Sequence, residues 1–308
     1  MASPRILTIT LNPTVDVSGE TELLRPVHKI RTTPLTYEPG GGGINVARVI
    51  SNLGGDVESL YVAGGATGTL LAELLIDEEF KSIHIPNTAP VRLSFNLFER
   101  TSGFEYRFVP EGEPISNDAI DACFDAIDAV RDGYVVASGS VPLGAPEDLL
   151  IKMAEITKKN GSRFVLDSSG HALSYTLEHA DVFLAKPSLS ELRHLAGDEL
   201  NEASARDAAM TVIGRGKCEV LAVTLGAEGA MLADKDMLLR LPALHVPTKS
   251  TVGAGDSFLG AMVWALSEGW DRKKAFRLGI AAGAAAAMTP GTQLCQREDV
   301  MRLFETVA

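Results

Sequence analysis

The sequence predicts an α/β fold: a mainly parallel central sheet with helices on both faces, plus a small β-sheet lid. Three observations point that way. Strand-like and helix-like stretches alternate along most of the chain, as they do where crossover helices join parallel strands. Two glycine clusters, at 40–43 and 253–255, each run directly into a helical apolar pattern. Two intervals, about 14–38 and 88–110, break the rhythm with β-like sequence and no good helix.

Taken in order, RILTITLN (5–12) reads as a buried strand. Residues 43–54 have helical spacing at Ile44, Val46, Ala47, Val49, Ile50 and Leu53, with Gly54 as a C-terminal stop. A strand at 57–64 and a helix at 68–78 follow. Residues 91–109 read as a hairpin turning at Ser102-Gly103, and HKIRTTPLTYEP (28–39) reads as its β-like partner. Together the two insertions form a lid over the C-terminal edge of the main sheet; surface ornament is the plainer alternative. The alternation resumes with a helix at 116–130, N-capped by Ser116, a strand at 134–139, a helix at 146–161 and a strand at 163–170. A strand at 181–187, helices at 189–197 and 203–216, and a strand at 219–226 continue it. With no internal repeat, low-complexity tract or linker, residues 1–308 read as one domain with a discontinuous lid.

Composition bounds the function. Of 308 residues, 45% are hydrophobic and 22% charged, as in a soluble protein with a sizeable core. Cys123, Cys218 and Cys295 are odd in number and far apart, which fits a reducing compartment rather than a disulfide framework. The N-terminus has no signal-peptide architecture, and the longest nearly apolar stretch, 278–288, is too short to span a bilayer; a cytoplasmic protein is expected. A net charge of −12 argues against a nucleic-acid partner. Anionic substrates would need local cations or metal ions to overcome that field. The six histidines (28, 84, 171, 179, 194 and 245) show no ligand spacing, and no G-x-S-x-G is present.

The most unusual stretch is STVGAGDSFLG, 250–260. Phe258, Leu259, Ala261, Met262, Ala265 and Leu266 recur at helical spacing, so a helix starts near Ala254. Gly253, Ala254 and Gly255 then offer backbone N–H groups that have no acceptor inside the helix, and these make an anion site. Asp256 falls in the first turn. An acid there can simply complement the helix dipole. Beside an anion site it can also take a proton from a bound hydroxyl, and phosphoryl transfer needs that pairing. The cluster EPGGGGINVAR, 38–48, permits close backbone approach to a ligand, with Asn45 able to bond a polyol; a flexible connection is the duller reading. Neither cluster fits G-x-G-x-x-G, because the third position is Phe258 in one and Val46 in the other. Gly216-Lys217 is followed by Cys218, so no P-loop is present.

GGGGINVAR near the start and STVGAGDSFLGAM near the end resemble the paired signatures of the ribokinase-like (PfkB) carbohydrate kinases. TLNPTVDVS, FEYRFVPEGE, LDSSG, LAKPSLSEL and GTQLC extend the likeness, within that family, toward its 6-phosphofructokinase branch, and the resemblance covers nearly the whole chain. It implies an ATP-dependent sugar-phosphate kinase acting on fructose 6-phosphate. The 1-phosphofructokinase and tagatose-6-phosphate kinase branches are the runner-up, although Gly-Gly-Lys-Gly is expected there in place of GGGG. A non-catalytic sugar-phosphate sensor and a nucleoside kinase are the other readings.

The same resemblance implies site roles. Asp256 would be the base, and Gly253, Ala254 and Gly255 the anion hole. Asp16, Gly41, Gly42, Gly43, Asn45 and Ser140 would bind the sugar. Lys29 and Arg92, with Arg107 as a weaker candidate, would reach the phosphate already on it. Lys186, Ser188, Thr224, Gly226, Gly229 and Thr248, with Ile280 and Ala284 of the final helix, would hold ATP. Glu191 would organise Mg²⁺ through water, with Ser188 standing where the family has Asn. Ser250, Val252, Ala286 and Gly291 would bind K⁺, with Thr289 and Gln293 nearby, both unlike the residues expected there. A homodimer paired through the lid completes the expectation.

Overall fold

The central strands are buried at every position, as a parallel sheet covered on both faces requires, with successive side chains turned to opposite faces. The computed structural model describes residues 4–196 and 202–307. The chain opens with β1 (Ile6–Thr10), enters the lid as β2 (Thr14–Thr21) and β3 (Thr36–Gly40), and returns through α1 (Gly42–Asn52), β4 (Glu58–Ala63), α2 (Gly65–Leu74) and β5 (Lys81–Pro86). A second excursion gives the lid hairpin β6 (Arg92–Glu99) and β7 (Phe104–Phe108). Next come α3 (Asn117–Asp128), β8 (Tyr134–Ser138), α4 (Leu149–Lys159), β9 (Arg163–Asp167), α5 (Gly170–His179) and β10 (Val182–Ala185). Then α6 (Leu189–Ala196), α7 (Glu202–Gly214), β11 (Cys218–Thr224), β12 (Ala230–Asp234), β13 (Leu238–Leu241), α8 (Ala254–Ser267), α9 (Arg272–Ala287) and α10 (Arg297–Phe304) follow.

Among the described residues the main sheet has nine strands in the order β13-β12-β11-β10-β9-β8-β1-β4-β5. The strands from β11 to β5 run parallel, and β12 and β13 add an antiparallel edge. On β8, Tyr134 and Val136 join the core under α1, α8 and α9. Val135 and Ala137 join the opposite core under α3, α4 and α7. This is a ribokinase-like α/β arrangement with a separate four-stranded lid ordered β3-β2-β6-β7.

Most expected elements are present within a few residues of their predicted ends. Ser116 caps α3 by accepting the Ala119 N–H at 3.2 Å, and the hairpin turns at Ser102-Gly103. The helix expected at 189–197 is α6; its last expected residue, Gly197, lies outside the described residues. Several expectations need correction. Residues 22–35 form a loop, so only the end of the 28–39 stretch is a strand. The helix carrying Ile280 and Ala284 is α9, and α10 follows it. The edge strand β5 shows little alternation because most of its side chains meet solvent. The helix α5 buries only Leu173, Thr176 and Leu177 and has no side-chain cap bond, so its sequence lacks both helix signals.

The packing of α8 on α1 brings the two glycine motifs together. A Cβ on Gly260 would lie 2.9 Å from Val49 Cβ and 3.0 Å from the Val46 carbonyl oxygen. Glycine at that position lets the helices approach closely enough for Asn45 on α1 to meet Asp256 on α8. A Gly260→Val substitution should therefore overpack this seam, costing about 1–3 kcal/mol of stability and lowering turnover as the two residues separate. A urea melt and an activity assay read both; an unchanged midpoint with unchanged turnover would contradict the seam's role.

Candidate active site

A cleft of about 320 Å³ opens between the lid and the C-terminal ends of the parallel strands. Ligands of open α/β sheets bind at that edge, outside the strand ends. One wall comes from the first turn of α8. Gly253 is its N-cap, in the left-handed region at φ 72. A side chain there would be strained and would also press on Leu294, 2.6 Å from the Cβ position. Ser257 N–H bonds the Gly253 carbonyl at 2.8 Å as the first bond of the helix ladder. The amides ahead of it have no intrahelical acceptor, and they concentrate the positive end of the helix dipole.

Asp256 lines this wall. Its Oδ2 accepts a hydrogen bond from Asn45 Nδ2 at 2.8 Å. Burial pushes its carboxyl up to about 6, and the neighbouring Asp167 adds to the rise; Asn45 and Lys186 act in the opposite direction. A carboxyl near 6 is still ionised at neutral pH and is a stronger base than an ordinary aspartate.

Beneath it lies a buried ion pair. Lys186 Nζ stands 3.0 Å from Asp167 Oδ1, and Ser138 Oγ donates to Asp167 Oδ2 at 3.1 Å. Burial works against the Lys186 charge, but Asp167, Asp256 and Glu191 together outweigh it and hold its pKa above the ordinary value. A Cβ on Gly255 would come within 3.4 Å of Lys186 Nζ. The ammonium therefore lies against the first turn of α8, at the positive end of the helix dipole.

The lid supplies the opposite wall. Register sets Asp16 on β2 beside Glu38 on β3 and Ser94 on β6. Burial raises the Asp16 carboxyl, against the pull of Arg107 and Arg92. Arg92 donates from Nη1 to the Pro110 carbonyl at 2.8 Å and from Nη2 to the Asn12 carbonyl at 3.0 Å. Its buried Nε has no partner among the described residues. Ser140 Oγ accepts from Asn12 Nδ2 at 3.0 Å. An unsatisfied guanidinium donor beside Arg107 suits an anionic group on a polyol.

The cleft gathers Asp256, Gly253, Asp16, Gly41, Gly42, Asn45, Arg92, Arg107, Ser140, Glu191 and Val252 from the expected set. Lys29 is a correction: it is exposed on the 22–35 loop and does not line the cleft. Gly43 is another, being buried under β1, where its Cβ position is 2.5 Å from the Ile9 carbonyl oxygen. Ala254 and Gly255 belong to the first turn of α8 and Lys186 lies against it, and none of the three lines the cleft. Thr224 N–H bonds the Pro187 carbonyl at 3.0 Å, placing the end of β11 beside Ser188. Gly226 and Gly229 bracket a short 3₁₀ turn, Thr248 is exposed, and Ile280 is packed in the core with Ala284 against it. None of these lines the cleft.

Ser188 and Glu191 form a reciprocal cap at the start of α6. Ser188 N–H donates to Glu191 Oε2 at 2.7 Å, and Glu191 N–H to Ser188 Oγ at 3.2 Å. Serine therefore keeps the capping function at the position where asparagine was expected. Lys249 N–H bonds the Ala287 carbonyl at 2.8 Å, so the turn before α8 lies against the loop after α9. The Ala286 carbonyl already accepts Thr289 N–H at 3.0 Å and Thr289 Oγ1 at 2.7 Å. That leaves Ser250, Val252 and Gly291 better suited than Ala286 to hold a cation, with Gln293 exposed. Sequence reasoning missed Asp167, Ser138, Ser94, Ser168 and Thr251 as lining residues. Asp167 and Ser138 end parallel strands, and that position was the available signal.

Comparison with known proteins agrees with this geometry. The model of the pfkB family carbohydrate kinases matches residues 8–299. The chain is 41% identical over 308 residues to the ATP-dependent 6-phosphofructokinase isozyme 2 of Mycobacterium tuberculosis, covering 99% of this chain and 90% of that one. The structure of Escherichia coli phosphofructokinase-2 in complex with potassium superposes with a TM-score of 0.95 at 36% identity, covering 98% of this chain and 99% of that one. The same enzyme in complex with fructose-6-phosphate gives 0.93 at 35% identity, covering 99% of each chain. A 1-phosphofructokinase of Bacillus subtilis is less similar, at 29% identity over 304 residues and 98% of each chain. The chain belongs to the pfkB family of carbohydrate kinases and is a phosphotransferase.

Proposed function

We propose that this protein is an ATP-dependent 6-phosphofructokinase, transferring the γ-phosphoryl group of ATP to the 1-hydroxyl of fructose 6-phosphate. The observation that carries the reading is Asp256: a buried carboxylate, raised to about 6, that lines the cleft in the first turn of α8 and is bonded by Asn45. Asp16 would hold sugar hydroxyls, and Arg92 and Arg107 the phosphate already present. Asp256 would take the proton of the attacking hydroxyl while the amides of Gly253 to Asp256 and the Lys186 ammonium receive the negative charge of the moving group. Lid closure excludes water. Glu191 would hold Mg²⁺ through water, since its cap on Ser188 uses one carboxylate oxygen. Bound Mg²⁺ would neutralise the phosphate charge that a chain of net −12 cannot. A K⁺ ion held by the Ser250, Val252 and Gly291 carbonyls is part of this reading, and the three buried free cysteines fit a cytoplasmic setting.

Purified protein assayed with ATP, Mg²⁺ and a panel of sugar phosphates tests the assignment. Fructose 6-phosphate should give the highest kcat/KM; a hundredfold preference for fructose 1-phosphate or tagatose 6-phosphate would overturn it. Asp256→Asn should lower kcat by about 10²–10⁴-fold while calorimetry still detects both ligands. A kcat within tenfold of wild type would remove Asp256 as the base.

The base must be ionised, so kcat/KM should fall as pH drops through about 6. Asn45 donates to the ionised carboxylate and lowers its pKa. An Asn45→Leu variant should therefore move this acid limb to higher pH. A limb at the ordinary aspartate value near pH 4, or one that Asn45→Leu moves downward, would contradict the electrostatics.

The outer face of the lid carries Tyr37, Phe95, Phe104, Tyr106 and Phe108, with Phe104 64% exposed. Such an apolar sheet face supports pairing of two copies. Light scattering should report a dimer that Phe104→Glu weakens; a monomeric wild type at micromolar concentration would refute it.

A further inference from the structure

The lid touches the main body at two carboxylates that the sugar and phosphate chemistry does not use. On β7, Glu105 Oε2 accepts a hydrogen bond from Ser250 Oγ at 3.2 Å. Ser250 is 3% exposed, and its Oγ accepts the Val252 N–H at 3.3 Å. Val252 directly precedes Gly253, whose left-handed backbone starts α8. A lid carboxylate is thus joined, through one hydroxyl, to the turn that sets the first-turn amides. On β3, Glu38 accepts a hydrogen bond from Thr292 Oγ1, and Thr292 is buried in the loop after α9. Glu38 is the register partner of Asp16. Glu105 is two residues from Arg107, so both acids share the lid's cleft-side face.

We infer that Glu105 is a positioning residue: with the lid down it fixes the Ser250–Gly253 turn, so that lid closure and completion of the anion hole are one event. The inference rests on the kinase reading above. A bond from a hydroxyl to a carboxylate is charge-assisted and stronger than a neutral one. Glu105 sits on the lid, so this bond exists only when the lid is closed. With the lid raised, Ser250 keeps only its bond to Val252, and the turn loses its outer restraint. The amides are then fully organised only while the lid is down, the arrangement in which Glu105 meets Ser250, which disfavours transfer to water. The contact acts through Ser250 rather than on the sugar, so it belongs to turnover rather than to sugar affinity.

The test uses full-length Glu105→Ala, Glu105→Gln, Ser250→Ala and the Glu105→Ala/Ser250→Ala double variant. Glutamine keeps an oxygen able to accept the same bond, and Ser250→Ala leaves the main-chain carbonyl in place. Glu105→Ala should lower kcat about tenfold, with KM for both substrates within about twofold; Glu105→Gln should recover most of it. The double variant should be no worse than the poorer single. In the ligand-free protein, hydrogen exchange across residues 250–257 should quicken in Glu105→Ala and return to wild type in Glu105→Gln. Failure of glutamine to rescue, a loss confined to sugar-phosphate KM, additive single losses, or unchanged exchange would each overturn the positioning role. The exchange experiment needs no substrate, so it judges Glu105 separately; a wild type that phosphorylates no sugar phosphate would sink the kinase reading instead.

Discussion

The hydrogen bond from Asn45 to Asp256 is the constraint on which the site depends. It joins residues 211 positions apart. It exists because α1 and α8 pack closely at Gly260, and because each helix begins at a glycine cluster by the cleft. Remove the seam and Asp256 loses its Asn45 donor. The bond is also electrostatic. Burial and Asp167 raise the Asp256 carboxyl, while Asn45 holds it low enough to be ionised at neutral pH. The carboxylate is more basic than an ordinary aspartate because it is buried beside Asp167, and it stays ionised because one amide donor offsets part of that rise.

The surrounding charges extend that balance. Asp16, Asp167, Glu191 and Asp256 gather in a cleft proposed to bind anions, within a chain of net charge −12. Local cations resolve the conflict. Lys186 lies against the first turn of α8 and is held charged by its carboxylate neighbours. Arg92 and Arg107 sit on the lid side, next to Asp16. Arg92 and Arg107 line the cleft with Asp16, Asp167, Glu191 and Asp256, and the Lys186 ammonium lies against the first turn of α8. That mixture of charges suits transfer between two phosphate-bearing molecules.

Much of this was legible in the chain itself. The strong apolar periodicity of α1 and α3 and the apolar runs of α8, β1 and β8 marked the scaffold. The anion turn and its acid were readable because glycine, helix start and carboxylate fall within a few residues. Asp167 was harder, because its importance comes from Lys186, which approaches through the parallel pairing of β9 and β10. The place of Lys29 came from the resemblance, and residues 22–35 fold as an exposed loop that does not line the cleft of this chain. The Ala286 carbonyl accepts two bonds from Thr289. Long-range pairing and competition for acceptors leave no local periodic trace, so sequence reasoning had no signal for them.

The geometry at Asp256 can be examined directly in a crystal structure with fructose 6-phosphate and a non-hydrolysable ATP analogue. The account predicts a carboxylate oxygen within about 2.6–3.2 Å of the sugar's 1-hydroxyl, with the amides of residues 253–256 turned toward the terminal phosphate. A carboxylate pointing away from that hydroxyl, or a terminal phosphate seated elsewhere, would contradict it.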